Sequence, residues 1–258
     1  MRPSPTERQH RILDLLRTGS VSVPMLARQL NTSEITIRRD LVTLKAQGKL
    51  LRVYGGALPR ERVAFEFSFK EKEALQREAK ESIGRAAAGL VEAGSVLFLD
   101  TGTTTLAAAR ALRAVKPAVI VTVNLCIASE YVGQRETRVL VPGGEVGALS
   151  PDLYGDWTLE ALSNVMVNIA FLGCDAVDLN DGFYSADTRS AAVCRLMIKR
   201  SRCAYLLADH TKFGRRSMCR IASLEKLKGI VADSDLPKEA RRTVRRLGLD
   251  LITETTKR

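Results

Sequence analysis

Seven short apolar runs, separated by helical or polar sequence, set the strongest limit on what this chain can fold into. They are Val96–Leu99, Ala118–Val123, Arg138–Val141, Val165–Leu172, Ala204–Ala208, Gly229–Ala232 and Asp250–Thr253. Between several of them apolar residues recur at helical spacing, as in the Ala-rich stretch Ile83–Val91 and in Thr105–Leu112. Short apolar strands alternating with helices need cover on both faces. They predict a Rossmann-like α/β domain with a mostly parallel sheet. In such sheets ligands sit at the carboxyl ends of the strands. The 258 residues leave room for a second, smaller domain ahead of it.

That smaller domain is legible before Pro59. Thr6-Glu-Arg-Gln9 fits a capping box, with Thr6 as N-cap and Gln9 reaching back. Ile12, Leu13, Leu15 and Leu16 form an apolar stripe, and Gly19 ends the helix. Ser22 can cap a second helix with Pro24 in its first turn, buried through Met25, Leu26 and Leu30. After the polar break Asn31-Thr32-Ser33, Ser33 caps a third helix. Its core stripe is Ile37, Leu41 and Leu44, with Ile35 and Val42 expected at the margins. The opposite face carries Ser33, Glu34, Thr36, Arg38 and Arg39. Two helices joined in this way are the pattern of a helix-turn-helix, whose second helix enters the DNA major groove. A solvated polar face on a three-helix bundle would use the same residues. Lys49-Leu-Leu-Arg-Val-Tyr-Gly-Gly-Ala57 then reads as a strand, a Gly-Gly turn and a return strand. Such a hairpin is a wing, and its Lys49, Arg52 and Tyr54 can reach phosphates or the flanking minor groove.

Charge agrees with a polyanionic partner. The net charge is +11 and the sequence pI about 9.7. Ten basic residues face only four acidic ones before Pro59, so much of the excess sits on the helix-turn-helix segment. The five cysteines, Cys126, Cys174, Cys194, Cys203 and Cys219, share no close pair spacing and form no zinc or redox motif. Reduced thiols in a cytoplasmic protein are expected. The polar N-terminus argues against a signal peptide, and no apolar run nears the roughly 20 residues of a membrane span.

Ile35-Thr-Ile-Arg-Arg-Asp-Leu41, Gln47-Gly48 and Val53-Tyr-Gly-Gly-Ala57 closely resemble the DNA-binding signature of the DeoR/GlpR family of bacterial transcriptional regulators. The family more often has His where Tyr54 stands. The boundaries drawn are a winged helix-turn-helix over 1–58, a linker over 59–76 and a larger domain over 77–258. In the linker Phe65, Phe67 and Phe69 alternate, as a short strand or an anchoring segment would.

Four loops at expected strand ends carry polar groups. Asp100-Thr-Gly-Thr-Thr-Thr105 follows a strand and opens a helix. Its glycine admits an anion close to the backbone, its hydroxyls donate, and the helix N-terminus adds a favourable dipole. A plain strand-to-helix cap explains such a loop too. Pro142-Gly-Gly144, Gly173-Cys-Asp175 and Asp209-His-Thr-Lys-Phe-Gly214 end three further strands. Together they point to a small polar pocket. Leu99–Thr105, Val141–Gly144, Ala170–Asp178 and Leu206–Arg215 also resemble the sugar-phosphate-sensing domain of the DeoR family, a fold related to sugar-phosphate isomerases and coenzyme A transferases. The resemblance implies that Asp100, Thr101, Gly102, Thr103, Thr104 and Thr105 hold a phosphorylated sugar or polyol. Gly143, Gly144, Asp175, Asp209 and Lys212 would lie nearby.

Two departures stand out. The family's Val-Thr-Asn is here Val121-Thr-Val-Asn124, so the Asn is either displaced by one position or replaced by Val123. Acidic residues and a Lys after Asp187 give way to Arg189, Ser190 and Cys194.

The expected function is a DNA-binding repressor of carbohydrate or polyol catabolism genes, released from operator DNA by a phosphorylated sugar. It would be a homodimer or homotetramer, cytoplasmic and nucleoid-associated, with no cofactor and no metal. One alternative is an enzyme on sugar phosphates, with Asp100, Asp175, His210 and Lys212 moving protons. No nucleophile motif or metal-ligand cluster supports it, and no catalytic residue is assigned. Another alternative is a regulator with a vestigial pocket and a purely oligomerising second domain.

Overall fold

The computed structural model describes residues 4–17, 21–47, 50–53, 56–59, 69, 71–147 and 150–254. The chain divides into two compact units, 1–68 and 69–258. The Gly19 helix stop, the Phe65 and Phe67 pair, Lys49 and Tyr54 lie outside the described residues.

The first unit runs α1 (Pro5–Arg17), β1 (Val21–Ser22), α2 (Val23–Gln29), α3 (Glu34–Ala46), β2 (Leu50–Val53) and β3 (Gly56–Pro59). Ile12, Val23, Leu26, Leu30, Ile37, Leu41, Leu44 and Leu50 close its core. Ser22 and Ser33 cap α2 and α3, accepting the amides of Met25 at 3.3 Å and Thr36 at 3.2 Å. β2 and β3 pair antiparallel, and β1 joins β3 to complete a three-stranded sheet. This is a winged helix-turn-helix.

The expected capping box of α1 is corrected. The helix begins at Pro5, and Ser4 accepts the Glu7 amide at 3.2 Å, so Thr6 lies inside it. Gln9 instead donates to Asp40 of α3 at 3.3 Å. Arg8 is the larger reason for that orientation. Its guanidinium meets the Asp40 carboxylate at 2.5 and 3.2 Å, both side chains buried, and pins α1 to α3. The placing of Ile35 and Val42 at the core margin is also corrected. They are 67 % and 49 % exposed, because the Ile37–Leu41–Leu44 stripe already fills the buried face.

The second unit runs α4 (Arg77–Ala88), β4 (Val96–Leu99), α5 (Thr103–Leu112), β5 (Val119–Thr122), α6 (Leu125–Ser129), β6 (Arg138–Leu140), β7 (Glu145–Val146) and β8 (Leu153–Tyr154). It continues with α7 (Asp156–Ser163), β9 (Val167–Leu172), β10 (Ala176–Asp178), β11 (Gly182–Ser185), α8 (Thr188–Lys199) and β12 (Ser201–Leu207). β13 (Cys219–Ala222), β14 (Gly229–Val231), α9 (Lys238–Arg246) and β15 (Asp250–Ile252) close it. The seven expected runs form one all-parallel sheet in the order β15-β14-β12-β9-β4-β5-β6.

Side chains alternate across that sheet, as the two-residue period of a strand requires. Leu97, Leu99, Ile120, Phe171 and Leu207 face one core; Phe98, Val121, Ala170, Leu172 and Leu206 face the other. On the first face α4 lies close against α5. A Cβ at Gly84 would stand 2.6 Å from the Ala107 carbonyl. The short pieces β7–β8 and β10–β11–β13 were not foreseen; their runs are too brief and mixed to show a period. From β4 the chain builds β5 and β6 on one side, and β9, β12, β14 and β15 on the other. The order therefore reverses between β4 and β9, which opens a crevice at their carboxyl ends.

Candidate functional site

On α3 the candidate DNA-contact residues divide into two groups. Ser33 and Thr36 bond each other through their hydroxyls at 2.9 Å, so the cap already engages them. Glu34 pairs with Arg38 across one turn at 3.4 Å. Arg38 and Arg39 are both exposed. Arg52 lies in β2, and its side chain is outside the described residues, as are Lys49 and Tyr54.

In the second unit the loop after β4 sits at the crevice. Asp100 is 2 % exposed, and its Oδ2 accepts the Gly173 amide from the end of β9 at 3.2 Å. Its Oδ1 has no hydrogen-bond partner, and the buried Cys194 thiol, a weak donor, acts on the same carboxyl. Burial raises the Asp100 carboxyl to about 7, against the lowering effect of the Thr101 and Gly173 amides. Gly102 holds φ +115°, a left-handed conformation costly for other residues, and turns the backbone into α5. No side chain caps that helix start. The helix begins two residues before the expected Thr105, so Thr103 and Thr104 line its first turn. Thr105 is fully buried and donates to the Gly102 carbonyl at 2.7 Å, which makes it a brace for the loop. Gly173 is equally constrained, since a Cβ there would stand 2.6 Å from the Thr101 carbonyl.

Asp175 and the loop after β12 adjoin this crevice. Asp175 accepts the Ala186 amide at 2.8 Å and faces Lys72 Nζ at 3.6 Å. Asp209 is buried and caps the turn 210–212, accepting both the amide and the hydroxyl of Thr211. Lys212 is half-buried on that turn. Burial pushes the Cys174 thiol up; Lys212, Asp175, Asp209 and Asp100 all act on it, so these groups share one neighbourhood. His210 bonds Asp233 through its amide and its Nδ1, each at 2.7 Å. Asp235 joins them within 4.8 Å, the one such cluster among the described residues, and its amide also donates to Asp233.

Sequence reading missed Lys72 and Lys80. Lys80 is 6 % exposed on α4 and donates to the carbonyls of Lys72 and, at 2.6 Å, Leu75. Burial lowers its ammonium to about 8, opposed by Asp209. Thr103 Oγ1 also donates to the Lys72 carbonyl at 3.4 Å. The segment ahead of α4 is thus fastened to the β4 loop and to Asp175. A lysine in a charged linker carries no periodic signal that would mark it for this role.

Gly143 and Gly144 end β6, with β5 between them and β4. There the Gly143 carbonyl accepts from Thr158 at 2.7 Å, and Gly144, at φ +144°, lies against Tyr154. Val123 and Asn124 take different places in the structure. Val123 is core, whereas Asn124 caps α6 and donates to the buried Asp152 at 2.6 Å. Arg189 is exposed, stacked 4.6 Å above the Tyr154 ring, and Ser190 reaches the Tyr154 hydroxyl at 3.2 Å. Among the described residues no helix is long and apolar enough to cross a membrane.

Comparison with known proteins follows the same division. Residues 8–62 match the DeoR-like helix-turn-helix domain, and residues 75–234 match the DeoR C terminal sensor domain. The glycerol-3-phosphate regulon repressor of Escherichia coli strain K12 is 33% identical over 234 residues, 90% of this chain and 92% of that protein. The HTH-type transcriptional regulator GlpR of Haloferax volcanii is 30% identical over 249 residues, 96% of this chain and 97% of that one. Among solved structures, ribose 5 phosphate isomerase A of Neisseria gonorrhoeae aligns with a TM-score of 0.40 at 17% identity, over 55% of each chain.

Proposed function

The chain belongs to the DeoR family of transcriptional regulators, and from that premise we propose that it represses genes of carbohydrate or polyol catabolism. In this reading α3 enters the major groove of operator DNA, with Arg38 and Arg39 on base edges or phosphates. Ser33, Glu34 and Thr36 stand at the helix entry, and Lys49, Arg52 and Tyr54 of the wing reach the flanking backbone. A phosphorylated sugar or polyol binds the second unit and releases the DNA.

The observation that carries the reading is the β4 loop at the reversal of strand order. It combines a left-handed Gly102, the uncapped start of α5 and a buried carboxyl with an unpartnered oxygen. The helix start and its hydroxyls suit a phosphate. Asp100 Oδ1 suits a sugar hydroxyl. Lys72 and Lys212 supply positive charge at the mouth, and Asp175 offers an acceptor. Release of DNA requires the effector to bind the DNA-incompetent form more tightly. The fastened segment around Lys72 offers a route, because the effector competes for Thr103, Asp175 and Lys72. Paired half-sites in DNA would be matched by a homodimer or homotetramer.

The test is a thermal-shift screen of the full chain with phosphorylated sugars and polyols. Stabilisation by at least one, lost in Gly102→Val, supports the reading. No shift with any of them favours a second unit used only for assembly. Turnover of a sugar phosphate would contradict a purely regulatory chain.

A further inference from the structure

We propose that Ile35 reads the methyl group of a thymine in the operator; this rests on the reading of α3 as the helix that enters DNA. Ile35 is the second residue of α3, and it is left 67 % exposed. The buried face of the helix is already filled by Ile37, Leu41 and Leu44. Positions 35, 38, 39 and 42 recur at three and four, so they share one helix face. The exposed stripe is therefore Ile35, Arg38, Arg39 and Val42.

The chemistry of that stripe selects its occupant. Its neighbouring carboxylates are engaged: Glu34 by Arg38, and Asp40 by Arg8 beneath the surface. What remains is positive charge beside branched aliphatic groups. The DNA major groove offers guanine acceptors for arginine and, as its one apolar feature, the thymine 5-methyl. Residues near the N-terminus of a recognition helix are the ones that reach base edges. Ile35 and Arg39 are one turn apart, about 6 Å along the helix, which places their bases within about two base pairs.

The experiment uses the full chain and a randomised duplex library. Each thymine of the enriched duplex is then replaced singly by deoxyuridine, which removes the methyl and preserves pairing. At one position per half-site the wild type should lose about fourfold in affinity, the worth of one buried methyl. Ile35→Ala should bind the thymine and uracil duplexes alike, whereas Arg39→Ala should still tell them apart. Ile35 is exposed, and Ala favours helix, so folding is not at risk. A wild type indifferent to every uracil overturns the proposal, as does full discrimination in Ile35→Ala. If no sequence is enriched at all, the DNA-binding reading fails and takes this one with it. Enrichment with uracil indifference removes only the role of Ile35.

Discussion

Asp100 is a carboxyl held where its charged form is poorly solvated. The folded chain keeps its proton up to about pH 7, against an ordinary value of 3.8. Folding therefore takes up a proton between those values, and stability falls as pH rises from about 4 to 7. Asp100→Asn should flatten that slope and raise stability at pH 8 by on the order of 4 kcal/mol, read from thermal melts across the range. A slope unchanged in the variant would show that Asp100 is charged in the folded chain throughout. Arg39 is the residue-scale test at the other unit. Arg39→Ala should weaken operator binding by roughly tenfold or more in a mobility shift, with ligand-induced thermal shifts intact. Unchanged DNA affinity would remove α3 from the interface.

At the scale of elements, two contacts hold the sites in place. The buried Arg8–Asp40 pair joins α1 to α3. Arg8→Ala leaves the Asp40 charge buried and should cost about 3–5 kcal/mol, enough to melt the first unit early in calorimetry while the second keeps its transition. Gly173 joins the ends of β9 and β4, and Gly173→Ala drives a Cβ toward the Thr101 carbonyl 2.6 Å away. A loss of roughly 1–3 kcal/mol is expected, with the effector-induced thermal shift abolished. The longer central strands, β9 and β12, were legible as near-continuous apolar runs, and the shorter main strands by their alternation with helical sequence. The caps at Ser22 and Ser33 were legible because their chemistry is local. Gln9 was misread because its partner, Asp40, is 31 residues away. Ile35 and Val42 were misread because an apolar letter does not say which helix face it occupies. The β4 loop could be located from glycine and threonine at a strand end. Lys80 could not, since its partners are backbone carbonyls that the sequence does not distinguish.

At the scale of the molecule, the proposed function needs linkage between two units that each fold around their own core. Ahead of α4 in the second unit, the Lys72 carbonyl accepts from Thr103 and Lys80, the Leu75 carbonyl accepts from Lys80, and Lys72 Nζ faces Asp175. Lys72→Gln removes only the ammonium that faces Asp175; it is expected to keep operator binding without effector, to shrink the effector-induced thermal shift and to blunt release of the operator. The most direct measurement is the operator dissociation constant of the full chain, with and without a phosphorylated sugar that stabilises it in the thermal screen. A rise of about tenfold or more at saturating effector is predicted, since linkage of this kind is typically worth 1–3 kcal/mol. An unchanged constant at saturation would contradict the coupling of the β4 loop to DNA release.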